Sequence, residues 1–122
     1  MLLKGKGTII NVSTEAAVRP APGLGVYSIS KAGLDMVTKV LALEWGSRGI
    51  RVNGIAPGMV QTKFSQALWG NEDIKNAVES RIPLGHMAQP EDIASLAVFL
   101  ASDASSFMTG RTILADGGAM LR

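Results

Sequence analysis

Cysteine is absent from the 122 residues, which excludes a disulfide frame and any thiolate metal site. The single histidine, His86, cannot complete a zinc shell by itself, so no metal is expected. Charge of one sign is scarce as well: 12 Lys and Arg face 10 Asp and Glu, a net charge of +2. No basic run stands out, and nucleic acid is not an expected partner. No apolar stretch approaches the ~20 residues that a membrane span needs. The opening MLLKGKG lacks the apolar stretch of a secretory signal. The expectation is a cytoplasmic address with no membrane partner. What the chain does have is 47% hydrophobic residues, enough to bury a core as a single globular unit over residues 1–122.

Strand and helix signals alternate along it. TIINVS, residues 8–13, is a β-branched run between a glycine and a Pro-rich loop and reads as a buried strand. Residues 27–45 contain no proline, are mostly good helix formers, and stop at Gly46. This helix carries two apolar rows, Ile29, Gly33, Met36, Val40 and Leu43 on one side, and Leu34, Val37, Leu41 and Trp45 on another. The first row is expected on the sheet and the second against another chain. IRVNGIAP, residues 50–57, is a second strand ended by Pro-Gly. Residues 59–82 are less regular, with one or two helices. PEDIASLAVFLAS, residues 90–102, is a helix with proline in its first turn, and RTILADGG, residues 111–118, closes with a third strand. Such alternation is the mark of a parallel α/β sheet.

The only tyrosine, Tyr27, lies in GVYSISKAG, with Lys31 four residues on. Residues four apart share one helix face. A cation beside a phenol favours proton release, the property a general acid/base needs. PGMVQT, residues 57–62, follows the second strand directly, where open α/β sheets place a ligand crevice. Asn11 and Asn53 fall in strands and are expected to fix neighbouring backbone. Asp116 with Gly117 and Gly118 is expected to shape the last turn, and His86 to be a loop residue. Phe64, Leu68 and Trp69 suit either a lid over a substrate or plain core.

INVST, YSISK, RVNGIAPGMVQT and QPEDIASLAVFLASDASSFMTGRTILADGG, in this order and spacing, resemble the C-terminal half of a classical short-chain dehydrogenase/reductase. The likeness runs through nearly the whole chain. It implies a partial Rossmann-like three-layer unit, about three parallel strands with flanking helices, lacking the N-terminal half of the sheet. It implies a reaction on a carbonyl or alcohol with NAD or NADP. Tyr27 would exchange a proton with the substrate oxygen, and Lys31 would also hold the nicotinamide ribose. Thr14, thirteen residues before Tyr27, would take the substrate-orienting place where the family has serine. Its hydroxyl serves, but its methyl stiffens the rotamer. Pro57, Gly58, Val60 and Thr62 would line the nicotinamide, with glycine permitting close approach.

One further departure from the family pattern shapes the expectation. No glycine-rich turn follows a strand here to receive a pyrophosphate. Weak or absent cofactor binding, and inactivity without a complementing N-terminal half, are therefore expected of a truncated chain. The resemblance also implies a homo-oligomer through the helix of residues 27–45. The alternative is a non-catalytic oligomerisation module, or a truncated product that joins full-length relatives.

Overall fold

A computed structural model describes residues 4–122, so the first residues of the opening MLLKGKG lie outside the described residues. Strands β1 (Gly7–Val12), β2 (Ile50–Pro57) and β3 (Thr112–Ala115) form one parallel sheet in the order β1-β2-β3. Ile9 pairs with Val52 and Asn11 with Gly54, while Ile55 pairs with Ile113. The central strand matches its sequence expectation residue for residue. Its Ile50, Val52, Ile55 and Ala56 are buried, as a β-branched strand flanked on both edges and both faces should be.

The other two strands are displaced from their expected bounds. β1 ends at Val12, although the Ser13 N–H still donates to the Ile55 carbonyl at 2.7 Å. β3 stops at Ala115 because Gly117 and Gly118 take φ of 62° and 87°, which no strand accommodates. Asp116 holds that turn, as expected: its Oδ1 accepts from the Gly118 N–H at 2.9 Å and its Oδ2 from the Met120 N–H at 2.8 Å.

The described residues form three α-helices, α1 (Gly25–Trp45), α2 (Glu72–Glu79) and α3 (Pro90–Ala101), of which α1 and α3 pack on the strands. Successive strand residues face opposite sides. Val52 packs with Ala42 of α1, whereas the neighbouring Arg51 reaches the end of α3, so the two helices cover opposite faces of the sheet. Pro90 opens α3, and the Gln89 N–H donates to Asp92 Oδ2 at 2.8 Å. Among the described residues no helix is long and apolar enough to cross a membrane.

The division of α1 into rows is corrected. Leu41 and Trp45, expected against a partner, pack on the core formed by Ala42, Ile50 and Val52. Ile29 and Leu43, expected on the sheet, are 74% and 86% exposed. The small, buried Thr38 and Ala42 meet the sheet between them, Ala42 against Ile50 and Val52 and Thr38 against Asn11. Thr38 is affordable there because its Oγ1 accepts from Asn11 Nδ2 at 2.9 Å and donates to the Leu34 carbonyl at 3.1 Å. Asn11 therefore fixes a side chain of α1, not backbone. Asn53 does fix backbone: its Nδ2 donates to the Met108 carbonyl at 2.9 Å, and its Oδ1 accepts from the Arg111 N–H at 3.2 Å.

Candidate active site

The C-terminal ends of the three strands gather the residues of interest. β1 runs out through Ser13 into Thr14, and the first turns of α1 return to the same place. Lys31 Nζ donates to the Val12 carbonyl at 2.8 Å and stands 5.9 Å from the centroid of the Tyr27 ring, within range of a cation–π contact. Buried Ser13 turns its hydroxyl to the Lys31 carbonyl at 3.4 Å. Lys31 thus pins α1 to the end of β1 from both its side chain and its backbone. Tyr27 stays 41% exposed, open to a ligand from outside.

Thr14 has extended backbone, and its Oγ1 accepts from the Ala16 N–H at 3.4 Å, capping the 3-10 turn Glu15–Ala17. An acceptor role in a cap leaves the hydroxyl proton available to another oxygen.

The loop after β2 is fastened at several points. The Gly58 N–H donates to the Ala115 carbonyl at 2.9 Å. Val60 forms an isolated parallel bridge with Ala88, through Gln61 N–H to Ala88 O and Ala88 N–H to Met59 O, both 2.9 Å. Ser65 braces the loop from below: its hydroxyl donates to the Val60 carbonyl and accepts from the Thr62 N–H at 3.0 Å. The Trp69 indole N–H donates to the Thr62 carbonyl at 3.1 Å. Trp69 therefore holds the loop, while Phe64 is 97% exposed, and neither arrangement is that of a lid closed over a site. The bonds that fasten the loop leave the Val60 N–H free among the described residues, a donor that a carboxamide oxygen could use.

Gly58 has a reason within the fold to be glycine, beside the one expected. A Cβ there would lie 2.8 Å from Asp116 Cα and 2.9 Å from Asp116 Cβ, closer than real side chains come. It is the turn after β3 that requires the close approach. His86 lies apart from this site, its Nδ1 at 3.0 Å from the Met87 carbonyl. A cavity of about 600 Å³ opens beside β3 between Met59, Ile82, Leu84, Ile93 and Leu114, but Thr14, Tyr27 and Lys31 do not line it.

Glu15 carries no motif and was not singled out from the sequence. Its Oε2 is sealed from solvent with no hydrogen-bond partner among the described residues. Burial pushes its carboxyl above the ordinary value of 4.5, the charge of Asp116 adds to this, and Arg19 works against it. In the window above 4.5 the folded chain keeps a proton that the unfolded chain has released, so this residue's contribution to stability falls as pH rises. Glu15→Gln should therefore be more stable than wild type at pH 7 and equal to it at pH 3, where both states are protonated. The gain should be under about 1 kcal/mol, since the residue is only half-buried. Urea midpoints at the two pH values check this, and a mutant less stable at pH 7 contradicts it.

Known proteins match along the whole of this arrangement. The family profile described as enoyl-(acyl carrier protein) reductase matches residues 1–120. The 3beta-hydroxysteroid dehydrogenase 1 of Eggerthella lenta is 45% identical over 118 residues, covering 97% of this chain and 45% of that protein. A short-chain type dehydrogenase/reductase from Mycobacterium ulcerans superposes with a TM-score of 0.94 at 35% identity, over 100% of this chain and 44% of that one. A gluconate 5-dehydrogenase from Burkholderia cenocepacia, solved in complex with NADP and tartrate, has a TM-score of 0.93 at 32% identity, over 99% and 48%. The chain thus spans about half the length of the relatives it matches. With YSISK at the start of α1, PGMVQT after β2 and three parallel strands beneath them, the chain belongs to the short-chain dehydrogenase/reductase family of oxidoreductases.

Proposed function

We propose that this chain forms the nicotinamide and substrate side of an oxidoreductase that interconverts a carbonyl and an alcohol. The observation that carries the reading is the placement of Lys31, bonded to the end of β1 two residues before Thr14 and standing over the Tyr27 ring. NAD or NADP, when bound, supplies or takes the hydride. Tyr27 gives a proton to the substrate oxygen, or takes one from it. Lys31 holds a cation beside that phenol and meets the ribose. Thr14 donates its hydroxyl to the same substrate oxygen and orients it. The 57–62 loop offers the Val60 N–H and the Thr62 hydroxyl to the carboxamide, with Pro57 and Gly58 setting the path of the backbone. An assay of reduced-dinucleotide oxidation over a panel of small ketones tests the reading. Turnover that persists unchanged after Tyr27 and Lys31 are both replaced would refute it.

These residues hold no glycine-rich turn after a strand, so the pyrophosphate must find its donors in a dinucleotide-binding segment additional to them. The 122 residues on their own should bind NADP no tighter than about 1 mM. Titration calorimetry giving a micromolar dissociation constant would contradict this.

Association of copies through α1 is part of the same reading, but by the exposed row. Ile29, Met36, Val40 and Leu43 all face outward on this helix, and covering such surface contributes about 25 cal/mol per Å². Leu43→Glu should weaken self-association by tenfold or more while leaving the fold intact, whereas Leu41→Glu should unfold the chain, because Leu41 packs on its own core. Sedimentation together with circular dichroism separates the two outcomes. An oligomer indifferent to Leu43→Glu would place the contact elsewhere.

A further inference from the structure

Ser65 stands behind the loop that follows β2, and its hydrogen bonds fix more than the path of that loop. In the parallel bridge the Met59 carbonyl and the Gln61 N–H both turn to Ala88. Backbone groups of an extended chain alternate in direction, so the N–H and the carbonyl of Val60, between them, turn together to the other side. Ser65 is on that side, since its hydroxyl donates to the Val60 carbonyl. Thr62 Oγ1 is there too, 3.3 Å from Ser65 Oγ. The free Val60 N–H and the Thr62 hydroxyl therefore share one side of the loop, and neither residue is buried.

The direction of the bond between the two hydroxyls follows from counting protons. A serine or threonine hydroxyl has one proton and two lone pairs. The proton of Ser65 goes to the Val60 carbonyl, its shortest contact. One of its lone pairs accepts from the Thr62 N–H at 3.0 Å. The Trp69 indole N–H competes for the other at 3.2 Å but has a nearer acceptor in the Thr62 carbonyl, at 3.1 Å. That second lone pair takes the Thr62 proton. Thr62 Oγ1 in turn accepts from the Ser65 N–H at 3.3 Å, which leaves it one lone pair and no proton to offer.

A ligand on this side of the loop meets a donor, the Val60 N–H, beside an acceptor, Thr62 Oγ1. A primary carboxamide carries the matching acceptor oxygen and N–H donor. A carboxylate carries acceptors only and would meet Thr62 lone pair to lone pair.

We propose that Ser65 is a positioning residue: by holding the Thr62 proton, it makes this subsite select a carboxamide over a carboxylate on the pyridine ring. The proposal rests on the reading above, in which the 57–62 loop receives the nicotinamide.

Nicotinamide mononucleotide and nicotinic acid mononucleotide test it, because they differ only in that group and contain no pyrophosphate. Each is titrated into the 122-residue chain while the Val60 amide resonance is followed in ¹H–¹⁵N spectra. The wild-type chain should bind the amide about tenfold more tightly than the acid. Ser65→Ala lets the Thr62 proton turn to the ligand and should bring the two affinities to within about threefold of each other. Ser65→Thr keeps the hydroxyl and should keep the preference. Thr62→Val, which removes the acceptor and leaves Ser65 in place, should lose the preference as well and serves if Ser65→Ala does not fold. A purely structural role for Ser65 would weaken both ligands alike, and a preference unchanged in Ser65→Ala or in Thr62→Val overturns the proposal. So does a wild-type chain that takes both ligands equally, although the nicotinamide reading of the loop would then stand. A Val60 resonance that neither ligand moves would sink that reading itself, and the proposal with it, so the two failures are distinguishable.

Discussion

Tyr27→Phe should lower kcat/KM for carbonyl reduction by about 10²- to 10⁴-fold, the range that loss of a general acid brings. The substitution deletes one oxygen and little else. The structural bond in this turn uses the Tyr27 backbone carbonyl, which accepts from the Ser30 hydroxyl at 2.7 Å, and that bond survives. The Lys31 anchor on the Val12 carbonyl survives too. The loss should therefore fall on kcat more than on KM. Thr14→Ser provides the contrast: it keeps the hydroxyl, frees the rotamer and should preserve or raise turnover. Steady-state kinetics, with a dinucleotide-binding half supplied where the chain alone shows no turnover, decides the matter. Unchanged turnover in Tyr27→Phe would remove Tyr27 from the reaction.

The second large effect concerns stability. Arg51→Met should cost about 3 kcal/mol or more, a sizeable part of the roughly 5–15 kcal/mol that holds a domain of this size. Arg51 lies on the face of β2 opposite α1. One guanidinium nitrogen, Nη2, donates to the carbonyls of Leu100 and Ser102 at 3.0 and 3.1 Å. Nη1 donates to the Ser105 hydroxyl at 3.0 Å and the Met108 carbonyl at 3.4 Å. Those carbonyls belong to the last turn of α3 and the segment beyond it, groups that the helix itself cannot satisfy. The Ser105 hydroxyl, with one proton, reaches the Leu100 and Ser102 carbonyls as well, at 3.0 and 3.1 Å, but only the planar fork serves all of them together, so Arg51→Lys should recover only part of the loss. Urea unfolding of both variants tests this. A loss in Arg51→Met within about 0.5 kcal/mol of wild type would show that water replaces the guanidinium without penalty.

β2 was legible in the sequence because its signals are local: a β-branched run enters after Gly49, at φ of 70°, and leaves through Pro57. The 57–62 loop was legible for the same reason, since Pro-Gly directly after a strand marks its exit. The rows of α1 were misjudged because apolar content is a poor guide where a helix lies close to a sheet. There small residues win the contact, and Thr38 succeeds because Asn11, on a distant strand, completes its hydrogen bonds. Arg51, Ser65 and Glu15 left no local pattern at all. The partners of Arg51 come from α3 and beyond, and the isolation of the Glu15 oxygen emerges only when the ends of three strands are brought together. The close approach of Asp116 to Gly58 likewise joins residues far apart in the chain.

The bridge between Val60 and Ala88 closes the chain on itself at the foot of the site. Everything from Thr62 to Met87, including α2, departs from that clasp and comes back to it, reinforced by the Gln89 amide on Gln61 Oε1 at 2.9 Å. The segment is tied down a second time, because the Leu84 N–H donates to the Gly117 carbonyl at 3.1 Å and both Ile82 and Met87 are buried. Only the arm that carries α2 lies between the two ties, so a protease cut within α2 should leave the sheet standing.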